Sequence, residues 1–172
     1  MKKYIFIFAS ALIVGFTNFS TAQNNKDIVD IAVSVDDFST LVTALQKAEL
    51  VDALKGDGPF TVFAPTNAAF AKIDSKTLGS LLEPQNKEAL TGILTYHVIS
   101  GKIAASDVVA ALEKGKGKVE LKTLNGASVT VMSKEGKIYL KDENGNYSQI
   151  VKTDVMGSNG VIHIIDSVVM PK

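Results

Sequence analysis

The sequence contains no cysteine and no tryptophan, and none of its 18 basic residues is an arginine. Without cysteine, a disulfide bond, a thiolate nucleophile, a thiolate metal site and a lipid anchor on an N-terminal cysteine are all excluded. Without arginine, no side chain offers the planar fork that holds phosphate or carboxylate groups by two hydrogen bonds. The absence of arginine argues against nucleotide, nucleic-acid and sugar-phosphate chemistry.

The first 22 residues have the pattern of an export signal. Lys2 and Lys3 form a basic start, an uncharged run follows from Ile5 to Phe16, and Ser20-Thr21-Ala22 places small residues where a signal peptidase cleaves. The run is shorter than the roughly 20 residues that a bilayer-spanning helix needs. We therefore expect residues 1–22 to be a signal peptide. Residues 23–172 would then be a single secreted or periplasmic domain that neither spans a membrane nor carries a lipid anchor.

The exported part of the chain has a small negative charge. Two of the 18 lysines lie within residues 1–22, which leaves 16 lysines against 18 acidic residues and a net charge of −2. Such a chain has no overall positive field that would attract nucleic acid or an anionic membrane. We therefore expect no nucleic-acid partner.

The first half of the domain reads as helical and the second half as strands. Phe38, Leu41, Val42 and Leu45 follow the spacing of one buried helical face. After Val119 the apolar residues alternate, and Asn125-Gly126 between two such runs is a strong hairpin signal. Val161 to Ile165 is apolar on both faces except at His163, which predicts a central buried strand. The pattern indicates one α+β domain.

Three segments carry a resemblance to a known family. They are Thr61-Val-Phe-Ala-Pro-Thr-Asn-Ala-Ala-Phe70, Tyr96-His-Val-Ile-Ser-Gly-Lys102 and Asn159-Gly-Val-Ile-His-Ile-Ile-Asp-Ser-Val-Val-Met-Pro171. In this order they resemble the signatures of the fasciclin domain, an extracellular module linked with adhesion, over Asp27 to Pro171. The resemblance implies a wedge-shaped β-sandwich of two small sheets with helices packed along one edge.

The sequence shows no catalytic residues, no metal site and no cofactor site. His163 and Asp166 would need a serine to form a hydrolytic triad, but no G-x-S-x-G segment occurs and residues three apart on a strand point to opposite faces. Asp142 begins a calcium-loop-like run, yet Tyr147 and Thr153 replace the glycine and glutamate that such a loop requires. We expect His163 and Asp166 to be buried structural residues.

Tyr96, His97, Val98 and Ile99 form the candidate interaction motif. In animal fasciclin domains a Tyr-His motif with nearby aliphatic residues is associated with integrin binding, so the resemblance implies a contact site here. The alternative is core packing, because Leu90, Ile93 and Leu94 place His97 on a predicted buried helical face.

The function that follows is a secreted, non-enzymatic interaction module that mediates adhesion to a cell surface or matrix. Its partner would be a surface or matrix protein or a polysaccharide, and a homo-oligomer is compatible with this role. Binding is expected at surface loops and an exposed face, with charged and polar residues concentrated in the loops 114–118, 134–137 and 142–148. The alternative function is a carrier of an apolar small ligand, a lipid or a pigment, in a cleft between helices and sheet. A third hypothesis is a hydrolase with an unrecognised site.

Overall fold

The computed structural model describes residues 26–172. The expected signal peptide lies outside the described residues. Within them, seven helices and seven strands follow one another with two short 3₁₀ helices, Asp36–Phe38 and Pro84–Asn86. The helices are α1 (Ile28–Val33), α2 (Ser39–Lys47), α3 (Val51–Leu54), α4 (Asn67–Phe70), α5 (Ser75–Leu81), α6 (Lys87–Tyr96) and α7 (Ala105–Lys114). The strands are β1 (Phe60–Pro65), β2 (Val98–Ser100), β3 (Lys118–Lys122), β4 (Ser128–Lys134), β5 (Lys137–Lys141), β6 (Tyr147–Gly157) and β7 (Gly160–Ile165).

Local sequence signals explain several of these boundaries. Asp27 caps α1, since its carboxylate accepts the Asp30 N–H at 2.7 Å. β1 ends at Pro65, which has no N–H to donate, and the Thr66 hydroxyl oxygen accepts the Ala69 N–H at 3.3 Å to begin α4. The first of the three family-like segments is therefore a strand that leads directly into a capped helix.

The strands form one seven-stranded mixed sheet in the order β2-β1-β7-β6-β5-β4-β3. β1 and β7 pair in parallel, and the other neighbours pair antiparallel. Gly160 begins β7 where the two parallel strands start side by side. A Cβ at this position would collide with the Phe60 carbonyl oxygen, which explains the glycine.

The expected sandwich of two small sheets is not confirmed, because β6 belongs to both halves. Its first residues pair with β5 and its later ones with β7. Two register shifts between Ile150 and Val155 interrupt the second pairing, and such bulges bend a strand. One long, bent strand thus joins what would otherwise be two sheets.

The two edges of this sheet approach each other, so that the sheet is nearly barrel-shaped. The Leu124 N–H, just after β3, donates to the Val98 carbonyl of β2 at 2.8 Å. The Tyr96 hydroxyl donates to the Ser128 carbonyl at the start of β4, also at 2.8 Å. These contacts nearly close the gap between the first and last strands of the order.

Two hydrophobic clusters fill the two sides of β1 and β7. Val62, Ala64 and Ile162 face the cluster formed with α1, α2, α3, α4 and α6. Phe63 and Ile165 face the barrel interior, where they meet α7 and the inner sides of β4 and β5. The helices therefore cover a face of the sheet as well as its edge.

Candidate functional site

The Tyr96–Ile99 motif lies inside the domain, where α6 ends and β2 begins. The exposed fractions of its four side chains are 0% for Tyr96, 2% for His97, 2% for Val98 and 4% for Ile99. α6 buries Leu90 and Leu94 on the same face, so the helix directs the residues that follow it toward the core.

Tyr96 acts as a neutral hydrogen-bond donor. Burial raises the pKa of Tyr96 to about 12, and the negative charges of Glu143 and Asp142 add to the rise. Its hydroxyl is occupied by the Ser128 carbonyl. The side chain therefore links α6 to the β3–β4 hairpin.

Both ring nitrogens of His97 are occupied. Its Nε2 accepts the Val169 N–H at 3.2 Å, so the proton belongs on Nδ1, which donates to the Ile93 carbonyl at 2.8 Å. Burial lowers the pKa of His97 from 6.5 to about 4, and the hydrogen bond to Ile93 only partly opposes this. His97 is thus neutral at physiological pH and holds the C-terminal segment against α6.

The geometry of these four residues supports core packing over surface contact. No partner can touch Tyr96, His97, Val98 or Ile99 while the domain is folded, because each is at least 96% buried. The contact role implied by the family resemblance would require α6 and β2 to separate.

His163 braces the irregular segment between β2 and α7. Its Nε2 donates to the Ile103 carbonyl at 2.8 Å, while the Asp154 N–H lies 3.4 Å from its Nδ1. Thr61, buried beside it on β1, donates its hydroxyl to the Gly101 carbonyl at 2.6 Å and accepts the Ile103 N–H at 2.9 Å. Residues 101–103 are held by buried polar groups because they lack a strand partner of their own.

The expectation that Asp166 is buried is wrong, because 40% of its side chain is exposed. It lies just beyond β7, accepts the Gln149 N–H at 2.8 Å and approaches Lys72 Nζ at 3.4 Å. Partial desolvation raises its pKa, but the hydrogen bonds from Gln149 and Ser167 and the charge of Lys72 together lower it overall. Within residues 26–172 it makes no hydrogen bond to His163, so the geometry does not supply the triad pair.

The calcium-loop-like run Asp142–Asn146 is a hairpin turn between β5 and β6. The buried Asp142 carboxylate accepts the backbone N–H groups of Asn144, Asn146 and Met170 at 3.0, 2.8 and 3.2 Å. These donors supply the positive environment that a cation would otherwise provide. No group of three or more potential metal ligands converges anywhere in residues 26–172.

The interior cavity where α4, α5 and α6 meet the end of β1 is too small for an organic ligand. The cavity there, bounded by Phe70, Leu94 and Val168 among others, measures about 10 Å³, whereas small-molecule sites occupy roughly 300–1,000 Å³. This volume counts against an apolar ligand in that interior cavity. A more open hollow of about 390 Å³ lies between α7 and the strands β4 and β5, beside Val109, Leu112 and Ile138.

The outer side of β3, β4, β5 and β6 carries the most distinctive exposed surface among the described residues. The alternate residues Val129, Val131 and Leu140 point into the core, which turns their neighbours outward. The centre of this outer side consists of Thr130, Met132, Tyr139, Tyr147 and Gln149. Its rim carries Lys118, Lys122, Lys134, Lys137 and Lys141, and the exposed Glu120 lies on the same side between Lys118 and Lys122. We call the five central residues and the five lysines the tyrosine–lysine face.

A shallow hollow of about 460 Å³ opens on this face. It is lined by Met132, Ser133, Lys134, Glu135, Tyr139 and Tyr147. The Lys141 ammonium lies 5.8 Å from the centre of the Tyr147 ring, within the range of a cation–π contact. The predicted binding loop 142–148 includes Tyr147, whereas Tyr139 was missed, although the polar–apolar alternation of Lys137–Lys141 would have revealed it.

The three predicted binding loops do not form one surface. Loops 114–118 and 134–137 lie together, as the Ser133 N–H donates to the Gly117 carbonyl at 3.1 Å. Loop 142–148 lies at the opposite end of β5. The tyrosine–lysine face connects the two ends.

Comparison with known proteins gives a consistent result. The fasciclin domain profile matches residues 36–171. Protein sll1483 of the cyanobacterium Synechocystis is 46% identical over 144 residues, which cover 84% of this chain and 73% of that protein. Cell surface glycolipoprotein MPB83 of Mycobacterium bovis is 36% identical over 158 residues, covering 88% of this chain and 64% of that protein.

A solved structure shares the fold. The FAS1 domain pair of the insect cell adhesion molecule fasciclin I superposes with a TM-score of 0.74 at 20% sequence identity. The match covers 84% of this chain and 51% of that one, so this chain spans about half the length of the domain pair.

Proposed function

Because the chain belongs to the fasciclin domain family, we propose that it is a secreted, non-enzymatic interaction module that mediates adhesion to a cell surface or extracellular matrix. Two similar proteins support this role: fasciclin I is a cell adhesion molecule, and MPB83 is a cell surface glycolipoprotein. The export pattern in residues 1–22 supports secretion. No helix within residues 26–172 combines the length and the apolar character that crossing a bilayer requires.

The observation that supports the proposal most strongly is that the polar side chains of the family segments are used inside the domain. Tyr96, His97 and His163 form hydrogen bonds with backbone groups of the same domain. A catalytic base needs an accessible nitrogen within hydrogen-bond reach of a substrate, and the His97 ring nitrogens are both bonded internally. The exposed chemistry lies instead on the tyrosine–lysine face, which suits binding.

Adhesion of this kind should be weak for one domain and strong for many. Four of the five lysines of the face are exposed and Lys141 is partly exposed, and an exposed ion pair contributes only about 0–1 kcal/mol. Linking several copies raises the apparent affinity by roughly 10²–10⁴ without any new contact.

The test compares beads that carry many copies of the purified full chain with the same chain free in solution. We expect the beads to retain cells or isolated matrix. Free monomer should prevent this retention only when its concentration is at least about a hundredfold higher than the concentration of the immobilised chain. Beads that carry an unrelated secreted domain of the same net charge are the control. Retention no better than on these control beads would contradict the proposed function.

A further inference from the structure

The charge of the tyrosine–lysine face is opposite to that of the domain as a whole. From Lys118 to Lys141 the chain has five lysines against two glutamates, a net charge of +3, whereas residues 26–172 have 16 lysines against 18 acidic residues, a net charge of −2. None of the five lysines forms an ion pair with another part of the described chain. Their positive charge is therefore available to an anionic partner.

The strand register sets the spacing of these charges. Lys118 lies beside Met132, which lies beside Tyr139, and Lys141 lies between Thr130 and Tyr147. Neighbouring strands are roughly 4.8 Å apart, and alternate residues along a strand are roughly 6.7 Å apart. The lysines thus surround the central residues of the face at intervals comparable with the length of one or a few sugar residues.

The centre of the face favours a ring-shaped partner with C–H groups on its surface. Tyr147 is 54% exposed and Tyr139 is partly exposed on the adjacent strand, diagonally across the pairing of Lys141 with Tyr147. A tyrosine combines an apolar ring face with a polar hydroxyl. Pyranose rings present the complementary surface, with C–H bonds on their faces and hydroxyl groups on their edges.

We propose that the tyrosine–lysine face binds an acidic polysaccharide, a chain of uronate-type sugars, whose carboxylates pair with the rim lysines while its rings lie on Tyr139 and Tyr147. This inference rests on the proposed adhesive function and names the class of its partner. Nucleic acid fits less well, because the whole chain lacks the arginine forks that suit phosphate and has a negative net charge. A membrane surface fits less well, because Met132 is the only large aliphatic side chain at the centre of the face.

The first experiment measures binding of the purified full chain to immobilised polygalacturonate and to neutral dextran of similar length. We expect binding to polygalacturonate only, with an affinity that falls as salt is added, because exposed charge pairs are screened. The double variant Lys118→Glu, Lys137→Glu should bind polygalacturonate about tenfold more weakly or worse. The matched control Lys47→Glu, Lys76→Glu changes two exposed helical lysines that form no ion pair in the described structure, and it should bind like the unaltered chain. Equal binding to dextran, or equal loss in the control variant, would overturn the proposal.

The second experiment separates a sugar partner from any other polyanion. Tyr147→Ala should weaken binding to polygalacturonate severalfold, while Tyr147→Phe, which keeps the ring, should retain most of it. If polyglutamate or double-stranded DNA binds as tightly as polygalacturonate, the face recognises charge alone and the proposal fails. Binding to polygalacturonate without retention of cells or matrix by the beads would refute the adhesive function and leave the site intact. Retention that persists in the Lys118→Glu, Lys137→Glu variant would keep adhesion and overturn this site.

Discussion

His97 should make the stability of the domain depend on pH. Its Nε2 accepts the Val169 N–H, so a second ring proton would point at another donor in a buried place. Burial accordingly lowers the pKa of His97 from 6.5 to about 4, against the weaker opposing effect of the Ile93 carbonyl. The folded domain therefore resists a proton that the unfolded chain accepts.

The sign and size of the effect follow from this difference. Above pH 6.5 both states hold a neutral His97, and its contribution to stability is fully present. Between pH 6.5 and about 4 the unfolded chain binds one more proton, so the free energy of unfolding falls as the pH falls. About 2.5 pH units at roughly 1.4 kcal/mol each amount to about 3 kcal/mol, a large part of the 5–15 kcal/mol that typically stabilises a domain.

The assay is urea unfolding of the full chain and of His97→Gln at intervals between pH 7.5 and pH 4. Glutamine does not titrate, so the stability difference between the two proteins should shrink by about 3 kcal/mol across this range. Asp30 and Asp166 also have lowered pKa values, but their acid sensitivity is common to both proteins and cancels. Leu94→Ala, an equally buried and non-titrating change on the same helix, is the control and should leave a constant difference. Parallel curves for the His97→Gln and unaltered chains would refute the reasoning.

Two substitutions test the other buried polar contacts by urea unfolding. His163→Ala should lower the free energy of unfolding by about 2–4 kcal/mol, because it leaves the Ile103 carbonyl unpaired and opens a cavity beside Phe63; an unchanged midpoint combined with lost adhesion would instead mark His163 as a binding residue. Asn159→Ala should cost about 2 kcal/mol, because it removes the side-chain hydrogen bonds that connect α1, the segment after α3 and the β6–β7 turn. The control Ser158→Ala changes the exposed neighbouring residue and should alter the free energy of unfolding by less than about 0.5 kcal/mol. Equal effects of Asn159→Ala and Ser158→Ala would contradict the role given to the Asn159 side chain.

The parts of the fold that depend on local signals were predictable from the sequence. Asp27 and Thr66 cap the helices that follow them, and Asn125-Gly126 connects β3 to β4 with Gly126 at a φ of 90°. The apolar run Val161–Ile165 predicted a strand buried on both faces. The structure confirms this, because one face of β7 is covered by helices and the other lines the interior of the sheet. Each of these features is decided within a few residues.

The continuity of the sheet was not predictable, because contacts distant in sequence decide it. β6 bends around Asp154, whose φ is 58° although it is not a glycine. The Asp154 carboxylate accepts the Ala105 N–H at 2.8 Å, 49 residues away in the chain. A strand read in isolation contains no trace of this partner, so the sequence alone does not reveal that one bent strand joins the two halves of the sheet.

The tyrosine–lysine face could not be assembled from the sequence for a related reason. Family resemblance drew attention to Tyr96 and His97, because the recognisable segments contain them, but these segments are recognisable as the residues that build the interior. The rim lysines appeared as parts of separate loops, and their common face became visible only when the register set Lys118, Met132 and Tyr139 side by side.

The family segments are buried and the tyrosine–lysine face is exposed, so domains with the same fold can differ in their partners. A change at His97 or His163 leaves buried polar groups unpaired and costs several kcal/mol, so the interior tolerates little variation. A change at Tyr147 or Lys141 alters an exposed or partly exposed side chain on a strand whose backbone pairing is unaffected, so it should cost little stability while changing what the surface recognises. Membership of the family therefore predicts the fold of this chain, whereas its partner has to be inferred from the residues of the tyrosine–lysine face.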